Sequence, residues 1–299
     1  MTTQAVILII ISAILHAGWN LVVKKYDPTP SFFLLANSLG VIIFAPFLWL
    51  TGGFLPALTF QIWLLLTATG LFMALYMYSL ARAYDQGTMS AVYPTVRALP
   101  IILTTLVLFL FMGTSFSLIY LLGILMIISG LYLNWGKKTG SNFLAGLSGP
   151  AAKYVFFAGV GTAGYSLIDA EGMNLIIALD GFSAAAAALT YIVYQGFFAS
   201  LWLAAYLFFY PRERKKFRAV IKNNLNTALL VGAGIYITYI LVLASMLFAD
   251  NVGYIVAFRQ AGILIGGLLA WLILKETFEV ERLMGIIILL AGLIMVALG

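Results

Sequence analysis

The sequence predicts an all-α integral membrane protein of ten transmembrane helices, arranged as two inverted five-helix repeats. Three observations carry that prediction. Hydrophobic types make up 64% of the 299 residues and charged types only 9%. An average soluble domain carries roughly 25% charged residues, so this chain has too few to coat a water-facing surface. The apolar residues fall into about ten runs of the ~20 residues a helix needs to cross roughly 30 Å of hydrocarbon. Identities also recur at a fixed spacing between the two halves of the chain. A mean hydropathy of +1.08 agrees. The composition excludes a soluble enzyme, a nucleic-acid binder and a disordered chain. There is no cysteine and one histidine, which excludes disulfides, thiol catalysis and thiolate or histidine-cluster metal sites. Neither a metal nor a cofactor is expected.

The elements follow in order. The first span, 3–23, comes after Met1-Thr2-Thr3-Gln4, which carries no basic residue and so does not read as a cleavable signal peptide. Lys24 and Lys25 follow it. The next spans are 31–51 and 61–83, the latter closed by Arg82. The fourth, 88–111, runs into the unbroken apolar stretch 101–112, which lacks the period-two alternation of a barrel strand. The remaining spans are 117–135, 152–172, 184–209, 226–249, 253–274 and 283–298. Basic residues mark alternate ends. Lys137, Lys138 and Lys153 lie between spans five and six. The run 212–218 with Lys222 reads as a loop anchor between seven and eight, and Lys275 and Arg282 lie between nine and ten. The opposite loops, 51–60, 112–117 and 171–183, hold no Lys or Arg. By the positive-inside rule the basic side is cytoplasmic and both termini face outward. The net charge of +6 therefore reports topology. Trp49, Trp63, Trp135 and Trp271 fall near span ends, as an interfacial aromatic belt would.

The two halves match. Arg97 and Arg259 lie 162 residues apart, and the same offset links Pro100 to Gly262, Ile101 to Ile263, Phe116 to Phe278, Gly123 to Gly285 and Gly130 to Gly292. Upstream the offset becomes 163, as for Tyr76 with Tyr239, Leu80 with Leu243 and Ala81 with Ala244. Further back, Ala17-Gly18-Trp19-Asn20-Leu21 matches Ala163-Gly164-Tyr165-Ser166-Leu167 at 146. The units are 1–138 and 150–299. An odd number of spans per unit inserts the second copy upside down. Inverted repeats characterise alternating-access transporters, with the substrate site at the repeat interface near the midplane.

Several motifs carry a family resemblance. His16-Ala17-Gly18-Trp19-Asn20 with Lys24 is similar to an HA-x-WN-x-x-x-K pattern, and Tyr165-Ser166-Leu167-Ile168-Asp169 with Gly172 to a Y-x-x-x-D-x-x-G pattern. Both belong to the EamA-type branch of the drug/metabolite transporter superfamily, which the whole chain resembles in its five-plus-five organisation. The stretch Val92-Tyr93-Pro94-Thr95-Val96-Arg97 also resembles the fourth helix of plastid triose-phosphate translocators, where a lysine replaces the arginine. There a basic residue in each half binds phosphate, which implies an anion site at Arg97 and Arg259. The chain departs from EamA-type proteins in two ways. Their acidic turn between the last two helices of each half survives here as Lys275-Glu276 but is Gly113-Thr114 in the first half. Many members also keep both termini in the cytoplasm. The expected location is a bacterial cytoplasmic membrane.

Polar residues inside the spans mark the candidate site. An arginine at a helix centre costs about 2.5–3.5 kcal/mol on insertion scales. Arg97 lies roughly 14 Å into its span at the helical rise, whereas Arg259 is shallower. Two converging guanidiniums would offer forked donors to a carboxylate, phosphate or phosphonate. Tyr93, Arg97, Pro100 and Thr104 share one face, which is expected to line a cavity, and Pro94 and Pro100 each free a backbone carbonyl. Gly262, Gly266 and Gly267 answer from the ninth span, where close helix packing is the competing use. His16, Trp19 and Asn20 share a face of the first span. Asp169 and Glu171 sit near the end of the sixth. There they are either a solvated terminus or, for Asp169, an arginine partner or a carrier of a coupling proton, a role also open to His16. Tyr165, Tyr76, Tyr239 and Gln195, with Tyr191 and Tyr194, complete the candidate lining.

No G-x-x-x-x-G-K-[ST] loop is present, so direct ATP hydrolysis is not expected. The sequence reads as a secondary-active or facilitative transporter of a small anionic or zwitterionic solute. The alternative is a broad-specificity exporter of amino acids or amphipathic metabolites. An intramembrane enzyme or receptor is disfavoured. The partners are the solute and the lipid bilayer, not nucleic acid; the sequence leaves the oligomeric state open, a monomer included.

Overall fold

The structure, a computed structural model, describes residues 2–26, 28–51, 58–135, 149–179, 183–246, 260–277 and 279–299. The described residues are helical, with no strand among them. The helices are α1 (Thr3–Tyr26), α2 (Pro30–Phe44, continued by a 3-10 turn and a last turn to Thr51), α3 (Phe60–Gln86), α4 (Met89–Met112) and α5 (Leu118–Trp135). They continue with α6 (Pro150–Ile177), α7 (Ala184–Phe209), α8 (Pro211–Met246), α9 (Ala261–Leu272) and α10 (Val280–Leu298). Eight segments of this set are long and apolar enough to cross a membrane; α6 and the shorter α9 fall outside that group. The outward faces are apolar: Ile42, Leu64, Phe109, Leu122 and Leu268 are all exposed. Water would oppose such a surface and lipid favours it. The chain is an α-helical integral membrane protein.

Local chemistry starts the helices where they start. Thr29 and Thr59 accept hydrogen bonds from the backbone N–H of Phe32 (3.2 Å) and Ile62 (3.4 Å), and Ser183 does the same for Ala186 at 3.2 Å. Each satisfies one orphan donor of a first turn. Pro30, Pro150 and Pro211 open α2, α6 and α8, where a missing N–H costs nothing. Thr88 before α4 makes no side-chain cap. The Glu276 carboxylate supplies it instead, accepting from the N–H groups of Met89 (2.7 Å) and Ser90 (2.9 Å).

Packing is closest where side chains are smallest. In the α5/α10 pair, Gly123 faces Gly292 and Gly130 faces Gly285. A Cβ on any of the four would fall 2.6–2.8 Å from the carbonyl oxygen of the facing glycine. The other close pairs are α3 with α6, α2 and α1 with α8, and α3 with α7. Lesser ones are α4 with α6, α1 with α9, α2 with α7 and α4 with α9. The ends of α4 and α9 match in detail. Gly113 (φ 62°) and Lys275 (φ 54°) take the left-handed conformation after each helix. Thr114 N–H then bonds the Leu108 carbonyl, and Glu276 N–H the Ala270 carbonyl, each at 3.2 Å.

One expected loop is a helix. The basic run 212–218 forms the first turns of α8, which bends at Asn224 (φ −126°, ψ 18°) before the apolar stretch begins. Glu213 near the N-terminus, paired with Lys216 at 3.2 Å, stabilises it. Glu213 also bonds Arg82 at 3.1 Å and Ser31, tying α3, α2 and α8 together at the end that bears the basic residues. At that same end Lys24 donates to the carbonyls of Tyr84 and Gly87, and Arg282 to the Ser90 hydroxyl at 2.7 Å. Lys137 and Lys138 lie outside the described residues.

Candidate functional site

Away from that closed end, the helices surround a cavity of about 530 Å³. It is lined from α4 by Arg97, Pro100 and Thr104, from α5 by Tyr120 and from α6 by Thr162, Tyr165 and Asp169. These positions run from the middle of the helices toward the ends opposite the basic residues. His16 and Trp19 of α1, Tyr76 of α3, Gln195 of α7 and Tyr236 and Tyr239 of α8 complete the wall, with Gln260 just before α9.

The wall formed by α1 and α4 carries the arginine. Arg97 Nη1 lies 3.4 Å from His16 Nε2, and His16 Nδ1 lies 3.1 Å from the Tyr93 hydroxyl. A guanidinium only donates. Nε2 therefore faces Arg97 as an acceptor, while Nδ1 lies between the Tyr93 hydroxyl and Asn20 Nδ2, the latter at 3.2 Å. Trp19 packs against the imidazole with ring centroids 4.8 Å apart.

Two expected lining residues of this wall stand behind it. Tyr93 is 2% exposed and does not reach the cavity, because Gly262 and Gly266 of α9 leave a hollow for its ring. Its tip serves His16 instead. Asn20 is 1% exposed. It accepts from the Tyr84 hydroxyl at 2.8 Å, donates to the His16 carbonyl at 2.8 Å and lies 3.2 Å from His16 Nδ1, so it supports the imidazole from behind.

The wall formed by α3, α6 and α7 carries the carboxylate. Asp169 is not at a solvated terminus: α6 runs on to Ile177. Its Oδ1 accepts from the hydroxyls of Thr69 and Tyr191 (2.9 Å for the latter), and Gln195 Nε2 donates to Oδ1 and Oδ2 at 3.0 and 2.9 Å. Gln195 Nε2 also reaches the Thr69 hydroxyl at 2.7 Å. Asp169 does not pair with Arg97. Tyr165, one turn earlier, meets Tyr76 edge-on with centroids 6.0 Å apart. The cavity thus brings together His16, Trp19, Tyr76, Arg97, Tyr165, Asp169, Gln195 and Tyr239. Arg259 lies outside the described residues.

Sequence reasoning missed Thr69, Tyr236, Gln260 and the capping role of Glu276. Tyr236 shares a helical face with Tyr239, a spacing that could have found it. Thr69 gave no signal, being one short polar residue in a long apolar helix. No cluster of three or more His, Cys, Asp or Glu side chains able to hold a metal occurs among the described residues.

No family model matches the chain, and no curated protein matches it. A solved crystal structure of a protein shares the backbone arrangement over 99% of this chain and 96% of its own length, with a TM-score of 0.53 at 12% sequence identity. At that identity the likeness is one of fold alone.

Proposed function

We propose that this chain is a secondary-active or facilitative transporter. It moves a small anionic or zwitterionic organic solute, such as a carboxylate, phosphate, phosphonate or amino acid, by alternating access through the central cavity. One observation carries the reading. Trp19 Nε1, Thr162 Oγ1, the Tyr236 hydroxyl and Gln260 Oε1 are buried without a hydrogen-bond partner among the described residues, and all four side chains line the same cavity as Arg97 and Asp169. An unsatisfied buried polar group costs about 1–3 kcal/mol. Concentrating four of them around one space supports a polar guest.

The helix packing supports an inverted duplication of ten spans. Exchange α1 with α6, α2 with α7, α3 with α8, α4 with α9 and α5 with α10. The pair α3/α6 then maps onto α8/α1, α2/α8 onto α7/α3 and α4/α6 onto α9/α1, while α5/α10, α2/α7 and α4/α9 map onto themselves. The matched left-handed ends at Gly113 and Lys275 follow the same exchange. A cavity toward one end and a polar clasp at the other is what one of two alternating states requires. The clasp consists of Glu276 on α4, Lys24 on the end of α3, and Arg282 on Ser90. The aromatic lining of Trp19, Tyr76, Tyr165, Tyr236 and Tyr239 favours a second reading, a broad-specificity exporter of amino acids or amphipathic metabolites.

Counterflow in sealed liposomes, with solutes chosen by a thermal-shift screen of small phosphates, phosphonates, carboxylates and amino acids, tests the function. Solute trapped inside should accelerate entry of labelled solute. Chemical turnover by detergent-solubilised protein, with no counterflow, would make it an enzyme. The charge of the loops supports a basic end in the cytoplasm of a bacterial cell, with both termini outside. Cysteine at Lys216 should then resist an impermeant thiol reagent in intact cells and cysteine at Ser115 should react; the reverse pattern would invert the topology.

A further inference from the structure

We propose that Asp169 seats a positively charged group of the solute, a primary ammonium, which makes the solute a zwitterion and not a simple anion. The inference rests on the transporter reading and narrows its substrate class. Its ground is the hydrogen-bond inventory around the carboxylate. Thr69, Tyr191 and Gln195 all present donors to it. Gln195 Nε2 can only donate and the two hydroxyls donate here, an arrangement that suits a carboxylate that only accepts, the ionised form. Among the described residues that charge has no cationic partner. Among the described residues the ion pairs are Arg82–Glu213, Lys216–Glu213 and Arg282–Glu279, all at the basic end.

The acceptor capacity is also uneven. Oδ1 takes three hydrogen bonds, while Oδ2 takes one, from Gln195. An ionised carboxylate offers about four lone-pair sites over its two oxygens, so Oδ2 retains room for a donor. The side chain lines the cavity. Tyr165 and Tyr239 line the same cavity and add aromatic surface, which suits a cation. An ammonium brings three donors and no acceptor, the complement of what Oδ2 lacks. A carboxylate among membrane helices, with no cationic partner among the described residues, is expensive and marks a substrate or ion pathway.

The probe is n-butylammonium, compared with n-butanol and with sodium butyrate at matched ionic strength, on the purified full chain in detergent. Butylammonium should raise the melting temperature saturably, and the other two should not. Asp169→Asn should weaken its apparent affinity at least tenfold. Gln195→Lys places an ammonium against the same carboxylate from within the protein. It should abolish the butylammonium shift while melting no lower than the wild type, and it decides the matter if Asp169→Asn does not fold. Equal shifts in the wild type and Gln195→Lys, or no shift in the wild type, overturn the proposal. In the second case, loss of gradient-driven flux in Asp169→Asn would reassign the carboxylate to a coupling proton. Counterflow without a butylammonium shift leaves the transporter and removes the subsite. A shift with no counterflow of any solute keeps the subsite and removes transport.

Discussion

The two charged walls of the cavity are built alike and loaded oppositely. On the α1/α4 wall, Tyr93 supports His16 and His16 meets Arg97. On the α3/α6/α7 wall, Tyr191 supports Asp169 directly. Each tyrosine ring lies against a glycine: a Cβ on Gly266 would fall 2.6 Å from the Tyr93 ring, and one on Gly172 would fall 2.6 Å from the Tyr191 ring. The difference lies in the last link. One wall ends in a donor-only guanidinium steadied by a lone pair. The other ends in an acceptor-only carboxylate steadied by three neutral donors. Among the described residues the two charges do not pair with each other across the cavity. A solute with two poles meets a different wall at each.

The largest expected effect comes from removing one of those poles. A hydrogen bond to a charged group is worth about 1.5–3 kcal/mol. Arg97→Gln should therefore weaken binding of an identified anionic or zwitterionic solute roughly tenfold to a hundredfold, with the protein still monodisperse. Arg97→Lys should lose less, since the charge survives and the fork does not. Lower expression and melting temperature with unchanged affinity in the surviving protein would make Arg97 a packing residue and break the comparison on that side.

The walls were unequally legible in the sequence. Arg97 stood out because a charge in an apolar run is rare, and its match with Arg259 at a fixed offset reinforced it. The glycine seam of α5 and α10 was legible for the same reason: four glycines repeat at that offset and meet in the fold. The carboxylate's surroundings were not legible. Thr69 and Tyr191 come from two other helices, and no periodicity links them to Asp169. A helical face is a broad arc, so spacing alone could not tell that Tyr93 and Asn20 turn from the cavity while His16 and Arg97 face it. The basic start of α8 read as loop because charge density marks membrane ends without specifying backbone.

A smaller effect separates the walls by coupling. His16 sits where a second proton would place an imidazolium beside Arg97, so its protonation and the guanidinium's environment are linked. Asp169 instead meets three neutral donors. His16→Asn should thus remove the dependence of flux on a pH gradient while leaving counterflow intact, and Asp169→Asn should reduce binding without that selective loss. Proteoliposome flux with and without an imposed gradient checks this. Uncoupling by Asp169→Asn alone would exchange the roles of the two walls.

The smallest effects are expected one link further out, at the glycines. An added methyl on Gly172 would sit 2.6 Å from Tyr191 Cε2 and 2.9 Å from its hydroxyl, so the ring has to shift and its bond to Asp169 lengthens. Gly266→Ala would push Tyr93 in the same way, its Cβ 2.6 Å from Cδ1 and Cε1. The consequences should differ in size because the chains differ in length. Tyr191 touches the charged group itself, and losing such a bond costs about 1.5–3 kcal/mol. Tyr93 reaches Arg97 through His16, by a side-chain contact worth about 0.5–1.5 kcal/mol. Both variants should melt lower in detergent from overpacking, at a cost of about 1–3 kcal/mol. Melting alone therefore does not rank them. The ranking comes from affinity for butylammonium in Gly172→Ala and for an anionic solute in Gly266→Ala. The first should fall severalfold, and more than the second. Equal losses for both probes in both variants would mean that the tyrosines only hold the helices at their spacing, and that the cavity charges do not depend on them.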